Sequence, residues 1–272
     1  LCKKSQQVLY RNLKNIIIAI AALLLWPAAG EAAESALQFH HYQVRSGMPS
    51  NCVRDIVQDA RGFIWFATDG GLVRFDGRSY KLYALSCPTD GCVEENFIRS
   101  LHTAPDGLYA GTDIGLYTYN LRLDRFDYTG LDINGIRQHA PVINIKSDRE
   151  GNLWISMEDK GVFEIKKATG EVTHFDFPLC NNYIGNIFID SSNGIWVQSN
   201  TGTETLYSFN RSSGEFRPFA VTVGGEKVST PSYTLLQADN QNLLLGLWNG
   251  RLIKFDSLSG KGSYVDAASS SP

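Results

Sequence analysis

Two arginines occupy matching positions in this sequence. Arg54 and Arg99 each follow one apolar residue at the start of a segment in which polar and apolar residues alternate. Two guanidinium groups projecting into a shared channel can hold an anion such as an acidic sugar. The alternative is that they form ion pairs with nearby carboxylates, for Arg54 those of Asp55 or Asp69, and we favour this interpretation.

Trp248 and Asn249 form a second candidate binding group. Trp248 stands where related segments of the chain have a small or polar residue. An exposed aromatic ring stacks on the apolar face of a sugar, and neighbouring amides bind its hydroxyl groups. The alternative is that Trp248 packs against a neighbouring part of the fold. We therefore consider Trp248, Asn249, Arg54 and Arg99 as candidate ligand-binding residues.

The sequence offers no catalytic or metal-binding pattern. It lacks a nucleophile elbow, a zinc-protease helix and a phosphate-binding loop, so we assign no catalytic residue. Segments such as Asp59-x-x-Gly62 lack the alternating ligands and the closing Glu of a calcium loop, and they predict tight turns instead. We expect no metal and no cofactor.

The first 30 residues have the three parts of a secretory signal peptide. Four basic residues precede an apolar run from Ile16 to Trp26, and small residues up to Gly30 follow it. This run is too short for the roughly 20 residues of a membrane-spanning helix. We expect cleavage after Gly30, with an uncleaved anchor as the alternative. Export places Cys87 and Cys92 in an oxidising compartment, where they would close a short disulfide loop or remain independent thiols.

The charge of the chain argues against a nucleic-acid partner. Its formal net charge is −3, and removal of residues 1–30, which carry four basic residues and no acid, makes the remainder more acidic. A protein that neutralises phosphates needs the opposite sign.

The remaining chain consists of a repeat of about 45 residues, read five times. Each copy contains an alternating segment, a tight turn, a segment with an aromatic or apolar anchor, a Gly turn and two further strand-like segments. The anchors of the five copies are Trp65, Tyr109, Trp154, Trp196 and Leu244. Four strands per repeat predict an all-β fold, a β-propeller of four-stranded blades, over residues 31–272. The anchors are expected to pack between blades.

The first repeat resembles a known family. The segment Phe39–Asn51, then Val53–Asp59, and then Arg61–Gly77 (RGFIWFATDGGLVRFDG), is similar to the start of the two-component regulator propeller family. The pattern weakens from copy to copy, and the resemblance extends over residues 37–256. Members of this family form the periplasmic sensor regions of hybrid histidine kinases.

The resemblance implies a periplasmic propeller that detects oligosaccharides or another small molecule and signals to kinase domains, with a homodimer as the expected assembly. Kinase activity and an inner-membrane anchor would lie in downstream sequence, since seven blades need about 315 residues and this chain holds about five blades. We therefore expect a propeller that is incomplete at the C-terminus. Two alternatives stay open: an exported, non-catalytic interaction propeller, and a propeller lyase.

Overall fold

The computed structural model describes residues 39, 41–85, 97–199, 201 and 205–265. Within these residues the chain forms five antiparallel units of four consecutive strands, and each strand pairs with the next in chain order. We call these units blades 1 to 5. Two short hairpins and two single-turn 3-10 helices (Val44–Ser46 and Pro178–Cys180) lie in the connections.

The strands of the five blades and the two hairpins have the following bounds. Blade 1 contains β1 Val53–Gln58, β2 Ile64–Thr68, β3 Gly71–Phe75 and β4 Tyr80–Tyr83. Blade 2 contains β5 Ile98–Ala104, β6 Gly107–Thr112, β7 Leu116–Asn120 and β8 Arg125–Thr129, and the first hairpin β9 Leu131–Ile133 and β10 Ile136–Gln138 follows it. Blade 3 contains β11 Val142–Ser147, β12 Leu153–Met157, β13 Gly161–Ile165 and β14 Val172–Phe175. Blade 4 contains β15 Asn186–Ile189, β16 Ile195–Gln198, β17 Leu206–Asn210 and β18 Glu215–Pro218, and the second hairpin β19 Thr222–Val223 and β20 Glu226–Lys227 follows it. Blade 5 contains β21 Ser232–Gln237, β22 Asn242–Leu247, β23 Leu252–Asp256 and β24 Lys261–Tyr264.

The blades are arranged side by side through their first strands. β1 contacts β5, β5 contacts β11, β11 contacts β15, and β15 contacts β21. Each fourth strand lies at the opposite edge of its sheet. First strands that meet while fourth strands lie outermost give the radial arrangement of a propeller. The predicted all-β fold of four-stranded blades is therefore confirmed.

One aspartate organises the turn between the first two strands of blade 1. Asp59 Oδ1 accepts hydrogen bonds from the backbone N–H groups of Arg61 and Phe63, at 2.9 and 3.1 Å. Asp59 Oδ2 accepts the indole N–H of Trp65 at 3.0 Å. Burial alone would raise the pKa of Asp59, but these hydrogen bonds hold it below its ordinary value. Gly62 completes the turn with a φ of +89°, a conformation that favours glycine.

The same indole–carboxylate bond recurs in blades 3 and 4. Trp154 donates to Asp148 at 3.1 Å, and Trp196 donates to Asp190 at 2.7 Å. Four of the five anchors pack against the following blade, as the sequence predicted, whereas Leu244 lies on the outward face of blade 5. Trp65 contacts the buried side chains of blade 2, Tyr109 those of blade 3, Trp154 those of blade 4 and Trp196 those of blade 5.

Two hairpins were not predicted from the sequence, which indicated plain loops between blades. The first turns at Asn134-Gly135, both with positive φ, which is the residue pair that a two-residue hairpin turn favours. The second turns at Gly224-Gly225, and its strand β19 adds in parallel to the outer edge of blade 5 through Thr222 and Lys261. The sheet of blade 5 thereby gains two strands.

The end blades carry apolar side chains on their outward faces. Ile56 and Leu82 lie on the face of blade 1 turned away from blade 2 and are 56% and 58% exposed. Leu236 lies on the face of blade 5 turned away from blade 4 and is 53% exposed. The internal blades bury the corresponding faces between them.

The described residues from Tyr42 onward form one compact unit, and this unit contains every strand described above. The proposed signal peptide and its cleavage point at Gly30 lie outside the described residues. Among the residues that the structure describes, no helix has the length and apolar character needed to cross a membrane.

Candidate functional site

The first strands of four blades carry a bulge at their second residue. The register between β1 and β2 skips Arg54, and the register between β5 and β6 skips Arg99. The first strands of blades 3 and 5 have the same irregularity. An extra residue bends a strand and redirects the side chain at that point. The same backbone device therefore presents both arginines at the same end of adjacent blades.

Arg54 forms a two-point ion pair with Asp69, the residue that follows β2. The Nε–Oδ1 distance is 2.6 Å and the Nη2–Oδ2 distance is 3.3 Å. The hydrogen bond from Arg54 holds the pKa of Asp69 below its ordinary value, which keeps this carboxylate charged. Of the two partners considered from the sequence, Arg54 thus uses Asp69. Asp55 instead accepts the backbone N–H of Leu101 in blade 2, at 2.8 Å.

Arg99 repeats this pairing in blade 2, where its Nε donates to Asp113. The ring of Phe97 lies between the two pairs. Its centroid is 4.6 Å from Cζ of Arg54 and 5.1 Å from Cζ of Arg99, both within the range of a cation–π interaction. We call these five residues the Arg–Phe–Arg cluster. It presents one aromatic ring, two guanidinium groups and two carboxylates at the junction of blades 1 and 2.

Sequence reasoning missed Phe97. The signal in the sequence was an aromatic residue two positions before Arg99. The contact with Arg54 was not visible, since it depends on how two blades meet. Both ion pairs are partly exposed, so they position the cluster more than they stabilise the fold.

Trp248 and Asn249 lie in blade 5, apart from the two arginines of blades 1 and 2. Trp248 follows β22 as Asp69 follows β2, and its backbone N–H donates to Pro231 O at 3.0 Å. Its side chain is 64% exposed. Asn249 Oδ1 accepts the N–H of Arg251 at 3.1 Å and thereby shapes the turn. The four predicted site residues therefore fall into two groups at the same end of their blades.

Two of the cysteines lie among the described residues. Cys52 is exposed and Cys180 is buried, and both are free thiols. A hydrogen bond with Asp69 raises the pKa of Cys52, so this thiol is protonated at neutral pH and is a poor nucleophile. Cys87 and Cys92, the proposed disulfide, lie outside the described residues.

A comparison with protein families finds a match over the start of blade 1 and the segment that precedes it. The model of the two component regulator propeller family matches residues 47–70, which include Arg54 and Asp69. The resemblance predicted from the first repeat is therefore confirmed.

Relatives and solved structures extend the comparison. The chain is 26% identical over 195 residues to histidine kinase P4 of Formosa agariphila, an alignment that covers 68% of this chain and 14% of that protein. Its fold matches the extracellular domain of BT4673 from B. thetaiotaomicron, a proposed hybrid two component system. This match has a TM-score of 0.66 and 23% identity, and it covers 84% of this chain and 29% of that one.

A third match is PorZ, a surface component of the type-IX secretion system of Porphyromonas gingivalis, with a TM-score of 0.63 and 17% identity. It covers 84% of this chain and 36% of PorZ. The two structural matches support the β-propeller fold. The chain spans less than a third of the length of P4 and of BT4673.

Proposed function

We propose that this chain is the ligand-sensing propeller of an exported two-component sensor, and that the Arg–Phe–Arg cluster is part of its ligand-binding face. The match of residues 47–70 to the two component regulator propeller family carries the proposal. The similarity to a histidine kinase and to an extracellular sensor domain supports it. In this proposal residues 1–30 direct the chain to the periplasm, and a membrane anchor and kinase domains act downstream of the propeller.

The chemistry of the cluster favours an oligosaccharide as ligand. The Phe97 ring offers an apolar surface, and the paired arginines and aspartates offer fixed donors and acceptors for hydroxyl groups. Each guanidinium is already neutralised by a carboxylate. We therefore propose a neutral saccharide rather than the acidic sugar considered from the sequence. Trp248, at the same end of blade 5, would add a second stacking surface.

Signalling requires that the ligand favour one arrangement of the sensor. A ligand that binds two states equally shifts neither, so the saccharide must bind one arrangement of the propeller and its partners more tightly. Control of genes for glycan use by the kinase, and a homodimer as the signalling unit, are parts of this proposal.

The binding face can be tested by calorimetry on the full chain with a panel of neutral and acidic di- to tetrasaccharides. We expect a neutral member to bind and Arg99→Gln to weaken it about tenfold, the effect of one charge-assisted hydrogen bond. The matched control is Arg125→Gln, which removes an arginine paired with Asp127 at 2.7 Å on the outer strand of the same blade. This variant should bind as the parent does.

Equal effects of the two substitutions would show that the ligand binds elsewhere. If no member of the panel binds, the saccharide-sensing proposal fails and an exported interaction propeller becomes the better hypothesis. Trp248→Ala tests the second stacking surface, since unchanged affinity would remove this side chain from the binding face.

A further inference from the structure

A cavity of about 310 Å³ lies between the first hairpin and blade 3, and it shares no residue with the Arg–Phe–Arg cluster. One wall is the β9–β10 hairpin. The other is formed by the turn after β12, the end of β14 and the connection that follows β14. This volume is at the lower end of the range of small-molecule sites.

Four titratable side chains line this cavity: Asp159 and Lys160 from the turn, and His174 and Asp176 from the outer strand and its end. Asp176 Oδ1 accepts a hydrogen bond from Asn182 at 3.1 Å, which fixes the carboxylate. Among the described residues, the Asp159 carboxylate and the Lys160 ammonium have no hydrogen-bond or ion-pair partner. Both groups therefore remain available to a ligand.

The orientation of His174 is fixed from two sides. Its Nε2 lies 2.6 Å from the backbone carbonyl of Lys160, and its ring packs on Phe163 with 4.9 Å between centroids. A carbonyl oxygen only accepts, so Nε2 carries a proton. The site thus combines two carboxylates, an imidazole and one ammonium donor.

The hairpin supplies the apolar part of the wall. Ile133 and Ile136 both line the cavity, and Ile136 is 69% exposed. Apolar side chains in the wall of a small-molecule site offer a surface to the C–H groups of a ligand. The hairpin is an addition to the four-stranded repeat, so the cavity has no counterpart formed by blade strands alone.

We propose that this cavity binds a small, neutral, polyhydroxylated ligand of the monosaccharide class. A hydroxyl group both donates and accepts, so it pairs with the carboxylates and with Lys160 alike. An anion such as phosphate would face the carboxylates of Asp159 and Asp176, and a cation would face Lys160. The mixed lining therefore disfavours a ligand that carries charge of one sign only.

The test is NMR of the full chain with ¹³C-labelled histidine, where the His174→Gln variant assigns the resonance. The probes are glucose, galactose, mannose, xylose and arabinose, with glucuronate and glucosamine as charged comparators. We expect at least one neutral sugar to shift the His174 resonance saturably in the millimolar range. Asp176→Asn, a change at an exposed residue, should weaken this binding about tenfold.

Two controls separate this site from others. Asp127→Asn changes an exposed carboxylate of the outer strand of blade 2, and Arg99→Gln changes the Arg–Phe–Arg cluster. Neither should alter the His174 titration. The proposal is overturned if no neutral sugar shifts the resonance, if a charged comparator binds more tightly than every neutral sugar, or if Arg99→Gln abolishes the shift.

Discussion

The turn between the first two strands is held by different contacts in blades 1, 3 and 4 than in blades 2 and 5. In the first group a buried tryptophan donates to the aspartate of the preceding turn. In the second group Ala104 and Ala238 stand where that aspartate would be, and Tyr109 and Leu244 replace the tryptophan. The comparison shows that the aspartate and the tryptophan are kept or lost together, as expected if each satisfies the other in the interior.

Blade 2 uses a different polar contact towards its neighbour. His102 Nε2 lies 2.8 Å from Ser147 Oγ of blade 3, beside the buried Tyr109. Burial and then the charge of Lys146 lower the pKa of His102 to about 4, although Asp106 opposes the shift. The interface of blades 2 and 3 thus contains an imidazole that resists protonation. The interfaces that contain a tryptophan instead contain a hydrogen bond between its indole and a carboxylate.

Blade 5 keeps a carboxylate near the turn but exposes it. Asp239 lies one residue after the turn position and pairs with Lys254 at 2.8 Å. The hydrogen bond from Lys254 holds the pKa of Asp239 well below its ordinary value. The partner here is a surface lysine and not a buried indole, so this carboxylate is held by solvent-exposed contacts.

The largest effect is expected from removing a tryptophan of the first group. Trp154 is fully buried, and Trp154→Ala should lower the free energy of unfolding by about 3–5 kcal/mol because it leaves a cavity and a carboxylate without its donor. Urea unfolding measures the change. The matched control is Trp248→Ala, at an exposed tryptophan, with an expected change within about 0.5 kcal/mol. A similar loss in both variants would contradict the role assigned to burial.

The same contrast explains what the sequence could predict. Each blade buries apolar side chains at the same positions of its repeat, so the repeat period and the anchors are visible in the sequence. The blades and their Trp-bearing strands were therefore predictable. The β9–β10 and β19–β20 hairpins were missed because strands of two or three residues have no period, which left only the turn pairs Asn134-Gly135 and Gly224-Gly225 as signals. Phe97 was missed because its two arginine contacts come from different blades.

A smaller effect is expected on acidification, and it should be specific to the blade 2 interface. The pKa of His102 is about 4 in the folded chain and about 6.5 when unfolded, so between these values the unfolded state binds more protons. The contribution of His102 to the free energy of unfolding is fully present above about pH 6.5. It falls by about 2–3 kcal/mol as the pH is lowered towards 4. His102→Gln should reduce the stability difference between pH 7 and pH 4.5, measured by urea unfolding. An unchanged pH dependence in this variant would rule out His102 as the source.

The smallest expected difference is between substitutions of the buried Asp148 and of the exposed Asp239. The Asp148 side chain is fully buried, accepts hydrogen bonds from Trp154 and from Asn152, and lies 3.5 Å from the Arg211 guanidinium. In Asp148→Asn one carboxylate oxygen becomes an NH₂ group, which cannot accept the indole N–H, so the unfolding free energy should fall by about 2 kcal/mol. Asp239→Asn makes the same chemical change at an exposed carboxylate, whose partners are Lys254, Asn242 and the backbone N–H of Gln241, and it should cost less than about 1 kcal/mol. Adding salt should reduce the cost of Asp239→Asn more than that of Asp148→Asn, since an exposed ion pair is screened more than a buried carboxylate. If the two variants lose equal stability at every salt concentration, the indole–carboxylate bond is not what distinguishes the two groups of blades, and apolar burial of the ring alone would account for the difference.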